Sequence, residues 1–470
     1  VLGIHGAIFG EHGIQKRPGL QPHRFDDGQD FHGVSGLVNA EMKSQRIPGL
    51  SVVVVRDGKI DFVKGYGYSN LEHKVPVKPE TIFQAGSVGK QFTAFAVLLL
   101  VQEGKMSLDD KLTNYFPDAP SGWDSITVRN LLNHTSGFGD YTNNFDYRAN
   151  YTEDSLYQEY RKRPLLFKAG EKQRYSNMGY ATLGIIISKA AGKFYGDYLK
   201  ERVFTPLGMT TARIITEEDI VPNRAAGYRL LNDSLKNQEW VSPTLNTTAD
   251  GSMYVTALDM AKWEAALNAE KLLKKEYYNM MWTPTKLNDG IIENYGFGWS
   301  IDSANGKRIL EHNGSWQGFE CTIKRYPEKK IAVVVFANLK RASTYKISTR
   351  ILQLYQPELS IASLKTIKDT EPAVTKMVNA FINNVMEKKL RADQFSTELA
   401  LELMDSTMQA RGSEYFKSKG KFLKSELLSR KELGNGTREY RYRLLFSKEI
   451  LGFMIQFNKE NKIVDLQTSE

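Results

Sequence analysis

The run from Phe92 to Val101 is apolar at every position except Thr93. A surface helix carries one apolar stripe, whereas a helix that is apolar nearly all round must be covered on every side. This run is too short to cross a bilayer as a helix, so protein has to surround it. A chain built on such an element needs several packed layers. At 470 residues it exceeds what one hydrophobic core usually supports, and two units are expected.

The residues that open this run carry the chemistry. In Phe83-Gln84-Ala85-Gly86-Ser87-Val88-Gly89-Lys90 a serine stands where a loop turns into a helix, with a lysine three residues on. That spacing projects both side chains from one face, within reach of each other. The helix N-terminus adds free N–H groups, favourable where an oxyanion forms. A serine becomes a useful nucleophile once a neighbouring base takes its proton, and Ser87 with Lys90 fits that need. The spacing alone is common: Ser343/Lys346 and Ser418/Lys421 share it. Flanking glycines and the buried helix single out Ser87 from these surface pairs.

Charge and composition exclude several classes. Sixty-three basic and 54 acidic residues leave a net charge of +9, spread along the chain without an arginine-rich block. That is a mild attraction for anions, not a nucleic-acid footprint. A single cysteine, Cys321, excludes an internal disulfide framework and a cysteine metal cluster. No His-Glu-x-x-His pattern occurs, and no metal or other cofactor is expected. His5, His12, His23 and His32 lie in a Gly-rich opening, residues 1–30 of which are expected to be a flexible arm. No stretch reaches transmembrane length. An exported, periplasmic or extracellular mature chain is expected, with a cytoplasmic one as the alternative.

Leu50–Val55 and Ile60–Val63 flank Asp57-Gly58, a strong hairpin signal. Thr127–Leu132 reads as a short helix closing on His134, whose ring is expected to bond backbone in a loop of small polar residues. Tyr175-Ser176-Asn177 stands at a second loop-to-helix junction, before the helical run Tyr180–Ala191; Tyr141/Asn143 is its nearest decoy. Thr256-Ala257-Leu258-Asp259 reads as a capping box with Asp259 reaching back to the backbone. His312-Asn313-Gly314-Ser315 precedes two antiparallel strand patterns, Cys321–Tyr326 and Ile331–Phe336. The glycines here are expected to admit another backbone, as a substrate chain would need. Residues 31–360 form the main unit, 361–370 a linker, and 371–470 a small α+β domain.

With Ser87-x-x-Lys90, Tyr175-x-Asn177 and His312-x-Gly314 in this order, the chain resembles the serine β-lactamase and penicillin-binding-protein superfamily. It looks most like the class C branch with its esterases, D-aminopeptidases and DD-peptidases. The likeness extends to Leu131-Leu132-Asn133-His134-Thr135-Ser136-Gly137, Pro206-Leu207-Gly208-Met209 and Ala257-Leu258-Asp259-Met260-Ala261-Lys262-Trp263. The tail is weakly similar to cystatin-like or NTF2-like modules. The resemblance implies an α+β fold: an antiparallel sheet flanked by helices, an all-helical subdomain and the small C-terminal α+β domain. It implies Ser87 as the acylated nucleophile, with Lys90 and Tyr175 exchanging its proton and either one the base. Asn177 would bond substrate or Lys90, and the N–H groups of Ser87 and of Ser315, on an edge strand, would form the oxyanion hole. Where β-lactamases carry a lysine, this chain has His312, mostly neutral at pH 7. Esters, amides or D-amino-acid peptides are therefore expected as substrates. A β-lactamase proper, or a non-catalytic peptidoglycan or peptide binder on the same fold, are the alternatives.

Overall fold

Gly49–Arg56 holds four consecutive valines and is buried almost throughout, the pattern of a strand covered on both faces. In the structure, a computed structural model describing residues 33–140, 145–216, 218–304 and 307–469, it lies inside a seven-stranded antiparallel sheet. The order is Ser300–Ala304, Lys307–Trp316, Phe319–Tyr326, Ile331–Ala337, Gly49–Arg56, Lys59–Asn70, Val75–Pro76. Asp57 and Gly58 both take positive φ, 52° and 73°, which makes the tight turn between the paired strands Gly49–Arg56 and Lys59–Asn70.

Alternation along the strands divides the interior. Val52 and Val54 face one core with Val333 and Val335, closed by the helices Val34–Gln45 and Thr344–Tyr355. Val53 and Val55 face the other with Leu310, Ile323 and Phe336. The helical region between the N-terminal and C-terminal strands of the sheet packs there, around Lys90–Gln102, Asn177–Ala191 and Ala257–Asn268. Every residue from Lys90 to Leu100 is buried, as an all-apolar helix requires.

After the segment 361–371 comes a second sheet, Phe422–Gly434, Thr437–Phe446, Ile450–Phe457 and Ile463–Ser469, in sequential order. The helix Pro372–Glu387 packs on it through Val378, Phe381, Ile382 and Val385. The molecule is thus α+β, with a small C-terminal sheet domain. Among the described residues no helix is long and apolar enough to cross a membrane. Residues 1–30, with three of the four early histidines, His32, and the Tyr141/Asn143 decoy lie outside the described residues.

Two expectations need correction. Thr256 does cap its helix, accepting from the Asp259 N–H at 3.1 Å, but Asp259 does not reach back. Its buried carboxylate instead accepts the N–H groups of Thr211 and Ala212, at 2.8 and 2.9 Å. A tertiary partner offering two amides outbids the helix's own. The strand bearing Ser315 is not an edge strand: it is second in the sheet, but Ser300–Ala304 covers only its Lys307–Glu311 part. From His312 onward the side away from Phe319–Tyr326 is open, and there it meets the serine turn.

Candidate active site

Ser87 sits in a single 3-10 turn, Gly86–Gly89, that runs straight into the helix Lys90–Gln102. Gly86 has φ 54°, and a Cβ built on it would lie 2.5 Å from the Ser315 nitrogen. A Cβ on Gly314 would lie 2.0 Å from the Ala85 carbonyl oxygen and 3.0 Å from the Ser87 nitrogen. The two glycines let the serine turn lock against the free side of the Lys307–Trp316 strand. The close approach expected of a substrate chain is made here by the protein's own backbone. It brings the backbone nitrogens of Ser87 and Ser315 to one place. The Ser315 hydroxyl turns away and donates to Glu320 across the hairpin at 2.8 Å.

Lys90 is fully buried, and its ammonium has three donors and three acceptors around it. Nζ donates to Ser87 Oγ at 3.1 Å, to Asn177 Oδ1 at 2.7 Å and to the carbonyl oxygen of Asp250. Burial lowers its pKa to about 8, against the pull of Asp250 and Asp140. Asn177 cannot turn to offer its amide hydrogens instead, because Nδ2 and its backbone N–H donate to the Asp140 carboxylate at 3.0 and 3.2 Å. A carbonyl likewise only accepts. When Lys90 is neutral, its two N–H bonds therefore go to Asn177 and Asp250, and its lone pair is left for the Ser87 hydroxyl.

Tyr175 completes the cluster from the loop before the helix Asn177–Ala191. Its ring centroid lies 4.9 Å from Lys90 Nζ, and its hydroxyl end faces Ser87. Tyr175 as a residue is 40% exposed, but its hydroxyl end is shielded, and desolvation raises the phenol's pKa against the opposing influence of Ser87. It is a neutral phenol at any ordinary pH.

His312 shares the face of its strand with Gly314 and is buried. Asn313 O can only accept, so Nδ1, 2.7 Å away, carries the proton. Nε2 is then an acceptor, and the Tyr295 hydroxyl donates to it at 2.9 Å. Burial first, and the Lys90 charge second, push the imidazole down to about 3. A group so placed offers no cation to a substrate carboxylate.

Ser87, Lys90, Tyr175, Asn177, His312, Gly314 and Ser315, the residues expected from the sequence, lie together in the fold. Asp140, Asp250 and Tyr295 join them without any motif that marks them in the sequence. Asp250 is buried with Oδ1 lacking a partner among the described residues; its carboxyl is raised by desolvation, opposed by Lys90. No spacing links these three to the serine. His134 bonds backbone as expected, accepting the Ser176 N–H at Nδ1, yet its ring also lies tilted against that of Tyr175.

Comparison with known proteins places this chain in a family. The family model described as Beta-lactamase matches residues 34–356. Penicillin-binding protein 4* of Bacillus subtilis (strain 168) is 28% identical over 314 residues, 63% of this chain and 69% of the relative. Protein flp of Staphylococcus aureus (strain MRSA252) is 26% identical over 370 residues, 74% of this chain and 72% of the relative. The octameric penicillin-binding protein homologue from Pyrococcus abyssi has a TM-score of 0.64 at 24% identity, covering 93% of this chain and 98% of that one. D-amino acid amidase from Ochrobactrum anthropi SV3, complexed with L-phenylalanine amide, has a TM-score of 0.62 at 24% identity, covering 70% and 99%. The two solved structures are likenesses of fold. The family model spans most of the chain and all of the site residues, and the chain belongs to the Beta-lactamase family.

Proposed function

We propose that this protein is a serine hydrolase that works through an acyl-enzyme on esters, amides or D-amino-acid-containing peptides. The observation that carries the reading is the buried Lys90 amine, whose one uncommitted direction points at Ser87 Oγ, 3.1 Å away. Lys90 takes the Ser87 proton as Oγ bonds to the substrate carbonyl carbon. The negative charge moves to the carbonyl oxygen, between the N–H groups of Ser87 and Ser315. The carbon–leaving-group bond breaks as the proton passes from Lys90 through Tyr175 to the departing oxygen or nitrogen. Water then attacks the ester by the reverse route, giving its proton back to Ser87 and releasing the acid.

His312 supports the substrate class. A neutral imidazole with both nitrogens bonded gives no charge to a carboxylate beside the scissile bond, so β-lactams and other acids of that kind are disfavoured. An amino-acid amide lacks such a carboxylate, and the fold is also that of an amidase crystallised with one.

A serine-reactive phosphonate should add its mass to Ser87 and leave Ser87→Ala untouched. A panel of nitrocefin, aryl esters, D-amino-acid amides and D-Ala-D-Ala peptides should give turnover of esters or amides and little of nitrocefin. An unlabelled wild type, or equal turnover by wild type and Ser87→Ala, ends the reading. Fast nitrocefin hydrolysis by wild type, with no gain in His312→Lys, refutes the part assigned to His312.

A further inference from the structure

We infer that His134 is a positioning residue for Tyr175, holding the phenol where it meets Ser87 and Lys90. The inference rests on the acyl-enzyme reading, because it concerns the residue that relays the proton. Three contacts converge on one side chain and its peptide. The His134 carbonyl accepts the Arg174 N–H at 2.9 Å. Its Nδ1 accepts the Ser176 N–H at 3.2 Å. Its ring lies on the ring of Tyr175, centroids 4.3 Å apart and planes inclined at 37°. The N–H groups of the residues on either side of Tyr175 and the ring of Tyr175 itself are therefore all met by one residue. The neighbouring bonds continue the same docking: Ser176 Oγ donates to Gly139 O at 2.6 Å, and Asn177 is held by Asp140.

A merely structural role accounts poorly for the histidine. Its backbone is left-handed, φ 61°, a conformation for which Gly or Asn would serve a turn at lower cost. Because Nδ1 accepts, Nε2 carries the proton, and that N–H is buried with no partner among the described residues. An unsatisfied buried donor is costly. The ring is retained where it touches aromatic groups of the site: Tyr175, Tyr180 at 5.0 Å and Tyr295 at 4.7 Å. Tyr295 in turn stands edge-on to Tyr175 and donates to His312. His134 sits at the centre of this group, and Tyr175 is the member that reaches the nucleophile.

A double-mutant cycle tests it, with wild type, His134→Asn, Tyr175→Phe and the double variant. Asn accepts the left-handed backbone and removes the ring. The readouts are the rate of Ser87 phosphonylation, and kcat and KM for an aryl ester or D-amino-acid anilide. His134→Asn is expected to lower kcat and labelling by about 10–100-fold with KM little changed, as a small misplacement of a reacting group does. In the Tyr175→Phe background the same change should cost almost nothing further, because its only route of action is gone. Losses that multiply in the double variant, or a rise in KM alone, overturn the inference. If His134→Asn does not fold, His134→Gln takes its place in the cycle; if neither folds, His134 is a folding residue and the inference is overturned. A wild type that phosphonate never labels condemns the acyl-enzyme reading instead, whereas a labelled wild type with a multiplicative cycle condemns only the role of His134.

Discussion

Lys90 meets two opposed demands: a buried ammonium is costly, yet three acceptors and two carboxylates surround it. Burial wins in part, and the folded amine loses its proton near pH 8 where the free side chain would hold it to 10.5. Two signs follow. The neutral form accumulates above pH 8, so kcat/KM should rise with pH through about 8 and then level off. Between about 8 and 10.5 the unfolded chain binds the extra proton, so this group's contribution to stability also rises with pH across that window. Asp250 is the first anion raising the amine's pKa. Asp250→Asn removes it, and the acid limb of kcat/KM should move to lower pH; a limb that stays or moves up would show that Lys90 does not set it. Of these residues the lysine was legible at three residues from its serine. The aspartate was not, since 160 residues separate it from Lys90.

At the scale of elements, the serine turn and the Lys307–Trp316 strand act as one unit because Gly86 and Gly314 let their backbones touch. Gly314→Ala forces a methyl to within 2.0 Å of a carbonyl oxygen, and backbone cannot step aside as a flexible side chain can. Such overpacking costs about 1–3 kcal/mol, and pulling Ser315 away from Ser87 should lower phosphonylation far more than it lowers the melting temperature. Asp259→Asn is the contrasting test. Its carboxylate serves Thr211, Ala212 and Lys262 and, among the described residues, bonds none of the groups around Ser87, so urea denaturation should register a loss of about 1–3 kcal/mol with kcat unchanged. The Asp57-Gly58 hairpin and the capped helices were readable because their signals are local. The helix Ser406–Ser418 was not read: only Ser413 and Phe416 of it are buried, so its apolar period is faint. The long strand Phe422–Gly434, with few buried positions, was missed for the same reason.

Across the whole molecule, the C-terminal sheet is tied to the rest by arginines. Arg441 pairs with Asp302 on the outermost strand of the main sheet at 2.7 Å. Arg443 holds Glu426 and donates to the carbonyls of Ile361, Ala362 and Leu364. A partly exposed pair such as Arg441–Asp302 contributes about 0–1 kcal/mol. Arg443 is more shielded and fastens the connecting segment itself to the second sheet. Arg443→Ala should therefore make the bonds near residues 361–371 open to limited proteolysis, with little change in the hydrolysis of a small ester, while Arg441→Ala should leave the digestion pattern as it was.

What the sequence determined by itself was local or periodic: the buried helix and the serine that opens it, the tyrosine junction, the apolar strands, the change of composition after residue 360. Those features depend on neighbours along the chain, whose spacing is visible in one dimension. Only the tertiary structure decided which carbonyl and which amide orient Lys90, that the two nitrogens of His312 are taken up by Tyr295 and Asn313, and that His134 lies against Tyr175. Those outcomes depend on groups tens to hundreds of residues apart, and on how much water folding removes from between them; spacing along a chain carries neither.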